Sequence, residues 1–246
     1  MTDQVGYIKK SINKEIPMIK SLPFFLWLSV MLSTVGCSGM AKIDVGALIT
    51  SGRDGWQHPE RVIESLDIEA GDRVAEIGAG SGYWLRWLSD AVGPEGRVYA
   101  VEVEAELVAE LEEIVADEEL GNVEVVYGAY DDPRLPDGEI DLAMTCLTYH
   151  HIADRVVYFE KLHAALRPDG RVAHLDDRPD SPAPISWFQG DGHWTDPALI
   201  DSEMGSAGYT STSEFDFLPA QSFQIFLPHA ANDPAGLAHR PSSERR

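Results

Sequence analysis

Residues 73–82 read Arg-Val-Ala-Glu-Ile-Gly-Ala-Gly-Ser-Gly. A short apolar run with the character of a buried strand passes straight into three glycines at alternate positions, Gly78, Gly80 and Gly82. A helical pattern follows at once, with Trp84, Leu85, Trp87 and Leu88 on one side. A strand that turns through glycine into a helix is the opening unit of a parallel α/β sheet. Glycine allows the tight reversal, and a bare main chain at a helix start leaves room for a ligand to approach. The spacing is Gly-x-Gly-x-Gly, not the Gly-x-Gly-x-x-Gly of dinucleotide-binding sheets.

The rest of the chain repeats this alternation. Strands are expected at Arg97–Val101, Val123–Tyr127, Ile140–Thr145 and Arg171–Leu175. Helices are expected at Ile43–Ile49, Pro59–Leu66, Tyr83–Ala91, Ala105–Glu118 and Ala153–Leu166, the last ended by Pro168-Asp169-Gly170. Asp196–Ala207 reads as a further helix, with Asp196 as N-cap, Pro197 in first position and Gly208 just beyond the end. Thr210–Asp216 and Phe223–Leu227 read as a closing strand pair, and 229–246 as a loose tail. The pattern predicts a doubly wound α/β fold with a mostly parallel sheet, in which ligands bind outside the carboxyl ends of the strands. At the end of the second strand stands Glu102, about 20 residues after the last loop glycine, where an acid can accept the hydroxyls of a ribose.

Charge narrows the partners. With 41 Asp and Glu against 19 Lys and Arg, the formal net charge is −22. Such a chain repels phosphate backbones, so no nucleic acid partner is expected. Two cysteines, Cys37 and Cys146, are too few for a disulfide scaffold or a four-thiolate zinc site.

The amino terminus reads as an export signal. Lys9, Lys10, Lys14 and Lys20 precede Leu22–Val35, a stretch without charge. That stretch is shorter than the roughly 20 residues of a bilayer span and suits the apolar core of a signal peptide. It ends in Thr34-Val35-Gly36-Cys37-Ser38, which resembles the bacterial lipobox, where the cysteine is lipidated and becomes the new amino terminus. The expected organisation is a signal peptide at 1–36, a lipidated terminus and linker at 37–52, a catalytic domain at 53–228 and a disordered tail at 229–246. Localisation is then the bacterial cell envelope, through a lipid anchor on Cys37, or the cytoplasm if the signal is not used.

Over roughly residues 53–227 the chain resembles the class I S-adenosylmethionine-dependent methyltransferases. The resemblance implies a seven-stranded, Rossmann-like, mostly parallel sheet with a reversed final strand, and S-adenosyl-L-methionine as methyl donor. It places Glu76, Gly78, Ala79, Gly80 and Gly82 around the donor's methionine end, and Glu102 with the neighbouring Val103 at its ribose. Ala129 stands where the family often has an adenine-contacting acid, and Asp131 is the substitute. The segment Cys146-Leu-Thr-Tyr-His-His151 looks like the family's stretch facing the transferred methyl group. Tyr149, His150 and His151 are therefore the candidate catalytic residues, histidine being suited to take a proton near neutrality. Arg53–Pro59 resembles a segment that lies over the donor in some bacterial relatives, with Trp56 and Gln57 as candidates there.

No metal site is expected. Asp176-Asp177 resembles half of the magnesium site of the catechol type, but Thr145-Cys146 stands where the matching acid would be. The implied function is methyl transfer to a small-molecule acceptor. The competing expectation is a non-catalytic envelope lipoprotein that uses the same fold as a binding module.

Overall fold

The computed structural model describes residues 52–179 and 194–229. The expected signal peptide, Cys37, the helix expected at Ile43–Ile49 and nearly all of the expected tail lie outside the described residues.

The chain enters through two helices, α1 (Asp54–Gln57) and α2 (Pro59–Leu66), then alternates: β1 (Arg73–Ile77), α3 (Leu85–Val92), β2 (Arg97–Glu102), α4 (Ala105–Asp117), β3 (Val123–Tyr127) and β4 (Ile140–Cys146). A 3₁₀ turn at Tyr149–His151 leads to α5 (Arg155–Leu162) and β5 (Leu166–Asp177). After 194 come α6 (Pro197–Ser206), β6 (Tyr209–Phe215) and β7 (Gln221–Pro228). The seven strands form one sheet in the order β3-β2-β1-β4-β5-β7-β6. β1 through β5 pair in parallel, whereas β7 runs antiparallel to both β5 and β6. The order reverses direction between β1 and β4, which opens a crevice at the carboxyl ends of those strands.

Burial explains why these stretches are strands. β1, β2 and β4 are covered on both faces and read as continuous apolar runs. β6, at the edge, alternates buried Tyr209 with exposed Thr210 and Thr212. Successive residues point to opposite faces. Val74, Val98, Leu142 and Leu175 pack under α2, α3 and α4, against Val62, Leu66, Leu85, Leu88 and Leu111. Ala75, Ala143, Val172 and Phe226 pack under α5 and α6, against Phe159, Leu162, Ile200 and Met204.

Several boundaries differ from expectation, and the larger differences have tertiary reasons. The helix expected at Tyr83–Ala91 begins at Leu85, because 78–84 is spent in the glycine turn, with Gly82 N–H on the Ala79 carbonyl. The helix expected to reach Leu166 ends at Leu162. Beyond it, the Ala165 carbonyl accepts from Glu139 and Ile140, which draws Leu166 into register with Ile140. The Pro168-Asp169-Gly170 stretch is accordingly an irregularity inside β5, where the pairing jumps from Ile140/Leu166 to Leu142/Arg171. β5 also runs on to Asp177, held by antiparallel pairing of Asp176 with Ser222 and of Asp177 with Gln221. The cap of α6 is as expected: Asp196 Oδ1 accepts from Ala198 N–H at 2.9 Å, and Pro197 opens the helix.

Candidate functional site

A cavity of about 540 Å³ lies at the carboxyl ends of β1, β2 and β4. Its floor is the glycine loop. Gly78 and Ala79 donate their N–H groups to the Val101 carbonyl at 2.9 and 3.0 Å, which ties the loop to the end of β2. Gly78 has φ +75°, and a Cβ there would run into the Thr148 side chain, so only glycine fits. Gly80, which lines the cavity, also has positive φ, but a Cβ there would meet only the Gly78 carbonyl oxygen, at an ordinary contact distance of 3.9 Å.

Glu102 ends β2 and is buried at the cavity wall. Its Oε2 accepts from Gly80 N–H at 3.0 Å, and its Oε1 from Val103 and Glu104 N–H at 2.7 and 3.1 Å. Three main-chain donors thus hold one carboxylate at a fixed place between the glycine loop and α4. A carboxylate has about four lone-pair positions, so it retains acceptor capacity toward the cavity.

Glu76 is buried at the end of β1, and its Oε2 has no hydrogen-bond partner. Burial pushes its pKa up to about 8; the Arg53 charge opposes this and the Glu102 charge adds to it. An acceptor this deep without a donor is expensive unless a ligand supplies one. Arg53, just before α1, lines the same cavity. Its guanidinium lies 3.9 Å from the Tyr83 ring centroid, and the Tyr83 hydroxyl donates to Asp54 at 2.6 Å.

Of the expected donor-binding residues, Glu76, Gly78, Ala79, Gly80, Glu102 and Val103 all line the cavity. Gly82 does not. Its φ is +73°, and a Cβ there would press on Leu111 and Leu85, so it serves the close approach of the loop to the helices. Asp131 does not line the cavity either. Its exposed carboxylate pairs with Lys161 at 2.9 Å, which holds it below the usual carboxylate range. Ala129 and Tyr130 reach the cavity instead, because Ala129 and Asp132 close a tight turn and Tyr130 donates its hydroxyl to Glu104.

The three candidate catalytic residues diverge. Tyr149 is fully buried, stacked on Phe159, and donates to Glu203 at 3.0 Å; it packs α5 to α6. His150 pairs through Nδ1 with Oδ1 of buried Asp176 at 2.8 Å. His151 lines the cavity, its ring 4.2 Å from that of His150. Cys146, also on the wall, is buried, and burial raises its thiol pKa. Gln57 is buried as well, whereas Trp56 is half-buried and does not line the cavity. Arg53 and Thr148 also line the wall, within segments singled out from the sequence but not themselves candidates, and Tyr83 and Tyr158 join them from outside any such segment. They come from four separate segments with no spacing in common, so only the fold assembles them.

Residues 74–170 match the family described as a methyltransferase domain. A demethylmenaquinone methyltransferase of Geobacillus kaustophilus (strain HTA426) is 26% identical over 117 residues, which is 48% of this chain and 50% of that protein. The chain spans about half the length of the curated relatives it matches. Among solved structures, an S-adenosylmethionine-dependent methyltransferase from Aquifex aeolicus superposes with a TM-score of 0.65 at 24% identity, over 71% of this chain and 92% of the other. One from Mesorhizobium loti superposes with a TM-score of 0.56 at 16% identity, over 72% and 99%. The strand order and the reversed β7 are those of the class I methyltransferase fold.

Proposed function

We propose that this chain binds S-adenosyl-L-methionine in the cavity below β1, β2 and β4 and transfers its methyl group to a small-molecule acceptor. The observation that carries the reading is Glu102, a buried carboxylate fixed by three main-chain N–H groups on the cavity wall next to an open glycine loop. Those bonds also brace the loop, but they leave the carboxylate with acceptor capacity on the cavity wall. Unpartnered Oε2 of Glu76 supports the reading too, since an ammonium would satisfy it.

The donor supplies a methyl group already activated on a sulfonium. What remains for the protein is positioning, exclusion of water and, for a protic acceptor, removal of a proton. Glu102 accepts from the ribose hydroxyls. The bare backbone at Gly80 lets the amino-acid end lie against the loop, with Glu76 facing its ammonium. His151, on the wall, meets the acceptor, and His150, oriented by Asp176, stands beside it.

The amino-terminal segment belongs to the same proposal: an export signal ending at Gly36 and a lipid on Cys37 that holds the domain at the bacterial cell envelope. Labelled palmitate should enter the full chain in cells and not its Cys37→Ser variant; equal labelling refutes this part.

The test of the activity is titration of the full chain with S-adenosylhomocysteine, followed by transfer of tritiated methyl from the donor to a panel of quinols, phenols and amines. Binding in about the micromolar range is expected. A well-folded chain that binds no S-adenosylhomocysteine refutes the proposal.

A further inference from the structure

A chain of polar side chains leads from the cavity wall at Cys146 to the head of β7. Arg53 donates from Nη2 to Cys146 Sγ at 3.4 Å and from Nε to Gln57 Oε1 at 2.9 Å. Gln57 donates from Nε2 to Cys146 Sγ at 3.6 Å and to Gln221 Oε1. A guanidinium can only donate, so Arg53 fixes which way the Gln57 amide points, and Gln57 in turn fixes Gln221. The chain therefore ends in an N–H donor, Nε2 of Gln221.

Asp177 stands opposite that donor. The two residues are paired across β5 and β7, so their side chains leave the sheet on the same face. Adjacent Asp176 points to the other face, where His150 takes it. Asp177 is 3% exposed and Gln221 1%. Burial pushes the Asp177 pKa up to about 6, with Gln221 opposing the rise, so near neutrality Asp177 is a carboxylate that can only accept. Yet no hydrogen bond closes between them: Asp177 Oδ1 and Gln221 Nε2 are both without a partner among the described residues. A buried donor and a buried acceptor in this state are costly unless a bound group completes them. That group must accept one hydrogen bond and donate another, which a hydroxyl does. An ammonium has no lone pair to accept with, and a carboxylate has no proton to give. We propose that Asp177 and Gln221 take a hydroxyl of the methyl acceptor, its proton donated to Asp177 and its oxygen accepting from Gln221, so that the acceptor is an alcohol or a phenol. This rests on the methyl-transfer reading above and adds to it the class of acceptor. The place suits an acceptor, because Gln57 joins the pair directly to Cys146 on the cavity wall.

The test crosses residue with ligand group. The full chain is first titrated with S-adenosylhomocysteine and then, loaded with it, with p-cresol and with p-xylene, which differ by a hydroxyl in place of a methyl group. Binding is followed by saturation-transfer NMR. The wild type should bind p-cresol about ten- to hundred-fold more tightly, the range for a hydrogen bond to a charged group. Asp177→Asn keeps the shape and loses the charge, and should bring the two probes to within a few-fold of each other. Gln221→Met keeps the length and loses the donor; it should also reduce the preference, and it carries the test if Asp177→Asn does not fold. A wild type that binds neither probe, or both equally, overturns the inference, and a buried water then completes the pair. A preference that survives both substitutions overturns it as well, because the hydroxyl is then held elsewhere. A chain that binds no S-adenosylhomocysteine in the first titration brings down the donor reading instead.

Discussion

Replacing Glu102 with alanine removes an acceptor shared by three main-chain donors, the N–H groups of Gly80, Val103 and Glu104. A hydrogen bond to a charged group is worth about 1.5–3 kcal/mol when its loss leaves the partner buried. Here Gly80 and Val103 are half-buried and Glu104 is exposed, so water replaces part of what is lost. About 1 kcal/mol for each bond, or about 3 kcal/mol in all, is the appropriate scale. For a chain of this size that lowers the unfolding midpoint by about 6–12 °C. Glu102→Gln keeps one acceptor oxygen but turns an amide N–H toward one of the three donors, so it should lie between wild type and alanine. The assay is thermal unfolding followed by tryptophan fluorescence, run beside titration with S-adenosylhomocysteine. A midpoint for Glu102→Ala within about 1 °C of wild type would refute the claim that this acid ties the glycine loop to β2. A lowered midpoint with unchanged ligand affinity would leave Glu102 a structural residue and remove the ribose contact from the proposed function.

Gly78→Ala forces a side chain into a residue at φ +75° and against Thr148, and should destabilise by about 2–3 kcal/mol in urea unfolding. Adding Thr148→Ala should recover only the steric part, so full recovery would show that the backbone angle carries no strain. Tyr149→Phe keeps the stacking on Phe159 and loses the hydroxyl donated to Glu203; it should cost about 1 kcal/mol of stability with methyl transfer unchanged. A large loss of activity without loss of stability would return Tyr149 to the chemistry. His174 is fully buried, bonded to Thr145 through Nδ1, and burial pushes its pKa down to about 3. As pH falls below 6.5 the unfolded chain takes up a proton that the folded chain refuses until about 3, so stability drops through that window. His174→Gln should flatten this slope in unfolding measured from pH 7 to 4, and an identical slope would contradict the buried neutral imidazole.

The part of the site nearest the sequence pattern was legible because local chemistry demands it. A strand that ends in Gly-x-Gly-x-Gly can hardly do anything but turn, and an acid at the end of the next parallel strand falls beside that turn by the geometry of the sheet. Asp131 shows the limit of such reading. Its position after β3 suited an adenine contact, but Lys161, thirty positions on, takes its carboxylate, and the turn brings Ala129 and Tyr130 to the cavity. Tyr149, His150 and His151 are adjacent in the chain, yet their side chains go to the α5–α6 packing, to Asp176 and to the cavity. A 3₁₀ turn sends successive side chains in different directions, and nothing in a run of three residues says which one meets the ligand.

By itself the sequence determined the alternation of strands and helices, the glycine turn, the cap of α6 and the acid that closes β2. Each of these follows from periodicity, backbone angles or hydrogen bonding over a few residues. Only the tertiary structure decided that Arg53 and Gln57 reach Cys146 and Gln221, at separations of 93 and 164 residues, and that β5 extends to bury Asp176 and Asp177. Such contacts carry no local signal. They exist because β7 inserts between β5 and β6 and because the segment ahead of β1 packs across the strand ends, and both depend on the whole sheet being formed.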